Sequence, residues 1–90
     1  MTSEVIKARL RNAGKRFFAS DNISQFIYPD EKPKLIEELT EKFEGVLGSL
    51  IIDTENDPNS QDTARRLAKM YVNEIMSGRY EPSPKVTSFP

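Results

Sequence analysis

Apolar residues recur at helical spacing in three stretches of the chain. The clearest runs from Asp62 to Tyr80, where Ala64, Leu67, Ala68, Tyr71, Val72 and Ile75 fall on one stripe of a 3.6-residue helix. Arg65, Arg66, Lys69 and Asn73 fall mostly off it and stay wet. Gly78 follows the last periodic residue and is expected to end the helix in a left-handed conformation, with Pro82 and Pro84 barring a restart. Between Glu31 and Leu50, Ile36, Leu39, Phe43, Val46 and Leu50 form an alternating three-four seam, supplemented by Leu35 and Leu47. Residues 4–19 show a looser stripe through Val5, Ile6, Leu10, Ala13, Phe17 and Phe18, weakened by Gly14.

These patterns predict an all-α fold with three helices, near 4–18, 31–49 and 62–77, within a helical unit spanning 1–80. Residues 81–90 read as an extended linker. The connection at 20–33 carries Ile23, Phe26, Ile27 and Tyr28, too much apolar surface to leave exposed, so it should be packed down. Asp30 offers an N-cap to the second helix. Gly45 and Gly48, unusual inside a helix, suggest a close backbone approach, or a fray at Gly48.

Ninety residues suit one small domain or part of a larger one. The net charge is −1 but unevenly spread. Residues 1–19 carry +4, residues 20–60 carry −7 and residues 61–90 carry +2. Such blocks attract weakly at physiological salt. No apolar run approaches the roughly 20 residues needed to cross a bilayer, and the first residues lack the apolar core of a signal peptide. A cytoplasmic location is the expectation, with neither membrane nor nucleic acid as a partner. Phe17 and Phe18, interleaved with basic residues, read as core rather than as a nucleic-acid surface.

The chemistry available is narrow. The chain has no histidine and no cysteine, so it offers no imidazole base, no thiolate nucleophile and no ordinary zinc ligand set. The four glycines are scattered, which excludes a glycine-rich phosphate loop. Glu37, Glu38, Glu41 and Glu44 read as the wet face of the second helix rather than as catalytic carboxylates. Asp53, Glu55 and Asp57 alternate as in a calcium loop. Pro58 and Ala64 stand where such a loop needs glycine and glutamate. No catalytic, cofactor-binding or metal-ligating residue is therefore assigned.

The stretch DTARRLAKMYVNEIMSGRY resembles the helix that precedes the catalytic domain in the GTP cyclohydrolase I family. The shared positions are Thr63, Arg66, Leu67, Ala68, Lys69, Met70, Tyr71, Glu74, Ile75 and Gly78. Ala64 stands where many members have proline, a first-turn preference rather than a requirement. The resemblance extends over Val46 to Pro90.

That resemblance implies the N-terminal helical part of an enzyme that converts GTP to dihydroneopterin triphosphate and formate, in folate-type (tetrahydrofolate, pterin) biosynthesis. In the family, zinc is held by two cysteines and a histidine of a sheet domain, which lies beyond the point where this chain stops. The chain is thus expected to be truncated and inactive alone, with GTP reached only through that absent domain. The family's N-terminal helices pack against neighbouring subunits, so a homo-oligomer is expected, with Ile36, Leu39, Phe43, Val46 and Leu50 as candidate interface residues. The alternative is a standalone helical module that binds a partner.

Overall fold

The computed structural model describes residues 1–82. It consists of α1 (Thr2–Asn12), a 3-10 turn (Ser24–Phe26), α2 (Glu31–Ser49), α3 (Thr63–Met70) continued by a π-helical turn (Tyr71–Ile75), and the short α4 (Ser77–Tyr80). Among the described residues there is no strand, and the all-α expectation holds. Residues 83–90, the greater part of the expected linker, lie outside the described residues.

The second and third helices form an antiparallel αα-hairpin, the main packing interaction of the chain. Thr40 and Leu47 on α2 and Ala64, Ala68 and Val72 on α3 are buried. Ala68 is wholly inaccessible, at 0% exposure, so the two backbones meet over small side chains. The Thr40 hydroxyl is buried but donates to the Ile36 carbonyl at 2.7 Å, within its own helix.

The first helix packs on the N-terminal half of α2. Ile6, Leu10, Ile23 and Leu35 make the core there, with Phe17, Phe26, Ile27 and Tyr80 against it. The connection at 20–33 is packed down as expected, except that Tyr28 is exposed. Its ring lies 3.8 Å beneath the Arg9 guanidinium. Phe18 is likewise exposed rather than core.

Two helix ends and one cap differ from the expectation. The first helix ends at Asn12 rather than near 18, because Gly14 takes a left-handed conformation (φ 64°). The amides of Gly14 and Lys15 then donate to the carbonyls of Arg11 and Leu10, which closes the helix. Gly78 caps nothing. The break falls at Met76, whose amide donates to the Tyr71 carbonyl across a π turn. Gly78 sits inside α4, and the chain turns extended at Glu81 ahead of Pro82. Asp30 makes no side-chain cap. The Glu31 carboxylate reaches back instead and accepts the Tyr28 amide at 2.8 Å. Gly45 and Gly48 face open space, so no close backbone approach requires them, and Gly48 lies within the helix rather than at a fray.

The second helix ends at Ser49 with the same hydrogen-bond pattern as α1, but with Ile51 in the left-handed position at φ 64°. The amides of Ile51 and Ile52 donate to the carbonyls of Gly48 and Leu47. A β-branched residue there is strained by about 1–2 kcal/mol, where glycine is not.

Candidate interaction surface

Among the described residues no group of three or more histidine, cysteine, aspartate or glutamate side chains is placed to hold a metal ion. A cavity of about 110 Å³ opens between α1, α2 and α4, lined by Ile6, Leu10, Phe17, Leu35, Arg79 and Tyr80 among others. It is mostly apolar and well below the several hundred Å³ of a pocket for a nucleotide-sized ligand. Several large apolar side chains are exposed together on another surface.

That surface is carried by the hairpin. Phe43, Val46 and Leu50 sit at i, i+3 and i+7 of α2 and therefore share a face. Tyr71 and Ile75 open and close the π turn that continues α3. The rings of Phe43 and Tyr71 meet at 5.4 Å between centroids, tilted by 30°, and join the two helices' contributions into one strip. Val46 is 54% exposed, Leu50 64%, Tyr71 40% and Ile75 56%. The π turn at 71–75 adds a residue to one helical turn, which rotates Ile75 relative to Val72. Val72 points inward at 1% exposure while Ile75 is outside.

The five candidate interface residues thus fall on a gradient. Ile36, Leu39 and Phe43 are half-buried, whereas Val46 and Leu50 are exposed. The motif residues of α3 divide by face. Ala68 is in the hairpin seam and Thr63 opens α3, its hydroxyl donating to the Asn59 carbonyl at 3.3 Å. Arg66, Lys69, Met70 and Glu74 are exposed. Arg65, Arg66 and Lys69 enter no ion pair among the described residues. Gly78 contributes its carbonyl, which accepts the Asn22 side-chain amide at 2.9 Å.

Four polar residues that periodicity does not single out tie α1, the loop after it, α2 and α4 together. Arg9 grips both oxygens of Glu31, and its guanidinium keeps that carboxyl below the ordinary glutamate range. Arg79 donates to the backbone carbonyls of Phe17, Phe18 and Asp21. Asn22 bridges the carbonyls of Gly78 and Glu81. Arg79 and Asn22 together strap the loop after α1 to α4. No signal in the sequence marks these partners, which lie 22 to 62 residues apart.

Compared with known proteins, the chain is 42% identical over 52 residues to GTP cyclohydrolase 1 of Shewanella amazonensis. The match takes in 57% of this chain and 24% of that protein, so the chain spans about a quarter of the relative it resembles. No family model and no solved structure matches the chain. The relationship to GTP cyclohydrolase 1 therefore holds over that stretch.

Proposed function

We propose that this chain is a helical assembly segment of a GTP cyclohydrolase I-like protein, contributing packing surface rather than chemistry. The observation that carries the reading is the 52-residue match at 42% identity. The apolar strip through Phe43 and Tyr71 supports an assembly role, because exposed apolar surface of this kind is stabilised by a partner. A second copy, with the hairpins paired about a two-fold axis, is the simplest partner.

The residues present do not fit the family's zinc. Without cysteine or histidine, and without a clustered carboxylate set among the described residues, no donor arrangement suits that ion. Conversion of GTP to dihydroneopterin triphosphate and formate would belong to groups outside this chain, whose part is to hold copies together.

Sedimentation velocity at micromolar concentration tests the reading. Self-association that Phe43→Ala weakens is the expected result. A well-folded monomer at every concentration, unaffected by that substitution, overturns it.

A further inference from the structure

The cavity between α1, α2 and α4 lies apart from the apolar strip. Its walls are the core residues Ile6, Leu10, Ile23 and Leu35, with the rings of Phe17 and Tyr80. Three further polar side chains, Ser3, Lys7 and Arg79, also line it. Each is already engaged. The Ser3 amide and hydroxyl donate to the Glu38 carboxylate. Lys7 donates to Glu4 at 3.3 Å. Arg79 donates to the backbone carbonyls of Phe17, Phe18 and Asp21. Among the described residues no buried side-chain nitrogen or oxygen lacks a partner.

These pairings decide what the cavity favours. A well-held water needs roughly two to four polar partners, and Ser3, Lys7 and Arg79 already have theirs. A carboxylate or phosphate would meet Lys7 and Arg79, but also Glu38 and Glu4, so an anion finds no net charge to draw it in. Poorly held water is displaced at a gain by an apolar group. The volume of about 110 Å³ approaches the roughly 150 Å³ of an apolar protein cavity that takes benzene.

We propose that this cavity is a binding site for a small uncharged ligand built on one aromatic ring. Leu10 and Leu35 supply aliphatic contact and Phe17 and Tyr80 aromatic contact. Such a ligand touches α1, the loop after it, α2 and α4 at once. It therefore binds their folded arrangement and not the unfolded chain, and stabilises the fold by mass action. The site uses no residue of the Phe43–Tyr71 strip and does not depend on the self-association inferred above.

Benzene is the probe, with benzoate as its charged counterpart. In methyl NMR, rising benzene should shift the resonances of Ile6, Leu10, Ile23 and Leu35 to saturation, and the melting temperature should rise. Benzoate should bind at least about tenfold more weakly, because its charge gains nothing on entering apolar walls. Leu35→Phe, which puts a ring into the cavity, should abolish the benzene response while circular dichroism shows the helices intact. Phe43→Ala, outside the cavity, should leave the response unchanged. Nuclear Overhauser contacts from benzene to the four core residues of the unsubstituted chain place the ligand whether or not Leu35→Phe folds. Shifts that never saturate, shifts confined to Val46, Leu50 and Ile75, or equal binding of benzoate overturn the proposal.

Discussion

Arg9 and Glu31 stand 22 positions apart, and the guanidinium donates to both carboxylate oxygens at 2.7 and 3.0 Å. The same arginine donates to the Phe26 carbonyl at 2.5 Å, and Glu31 also accepts the Tyr28 amide. One pair therefore ties α1, the loop and the start of α2 together, with only 10% of the Glu31 side chain exposed.

The pair makes stability depend on acid. Hydrogen bonding to Arg9 holds the Glu31 carboxyl below its ordinary value of 4.5. A group depressed on folding stabilises the folded state above its unfolded value and loses that contribution as pH falls through the folded one. Asp21, held down by Arg16, adds in the same direction. The urea midpoint should fall as pH drops below about 4.5. Glu31→Gln should lower the midpoint at neutral pH and flatten this acid dependence. An acid dependence unchanged in Glu31→Gln would show that the pair does not contribute.

The two left-handed caps give opposite expectations. Ile51→Gly should stabilise the chain by about 1 kcal/mol, relieving a strained β-branched residue that is almost fully exposed. Gly14→Ala should destabilise by about 1 kcal/mol. No atom lies within 4 Å of the position a Cβ would take at Gly14, so the cost there is conformational and not steric. Thermal melts of the two variants, shifted in opposite directions, check the pair.

The hairpin seam should resist enlargement. Ala68 has 0% exposure, and Ala68→Leu should cost about 1–3 kcal/mol. Leu10→Ala, at the core beneath α1 with 1% exposure, should cost about 2–5 kcal/mol. Chemical denaturation of each gives the number.

Phe43 is half-buried, so Phe43→Ala should cost less than the roughly 3–5 kcal/mol of a fully buried phenylalanine. Its specific contribution is the contact with Tyr71. A double-mutant cycle over Phe43→Ala and Tyr71→Ala should return a coupling of about 0.5–1.5 kcal/mol. Zero coupling in the monomer would mean that the rings meet without mutual stabilisation.

The activity expectation is simple to check. The purified chain should release no formate from GTP above background and retain no stoichiometric zinc by elemental analysis, since it has neither cysteine nor histidine. Either result reversed would require donors that the residue reading does not provide.

Much of the fold was legible in the order of residues. The three-four spacing of Ile36, Leu39, Phe43, Val46 and Leu50 marks α2 within a residue or so of its actual span. The stripe from Ala64 to Ile75 marks α3 and its π turn. The absence of histidine and cysteine settled by itself which chemistry these residues do not offer. Only the tertiary structure decided which part of each stripe is covered: Val72 is buried and Ile75 is not, Leu47 is buried and Val46 is not. Periodicity shows which side of a helix is apolar. What lies against that side depends on the crossing of α2 with α3 and on where α1 stops. The same holds for Arg9 with Glu31 and Arg79 with the loop at 17–21, since a charged residue carries no mark of a partner many positions away. The left-handed Ile51 was equally invisible, because hydrogen bonds to Leu47 and Gly48 impose on it a conformation its own side chain disfavours.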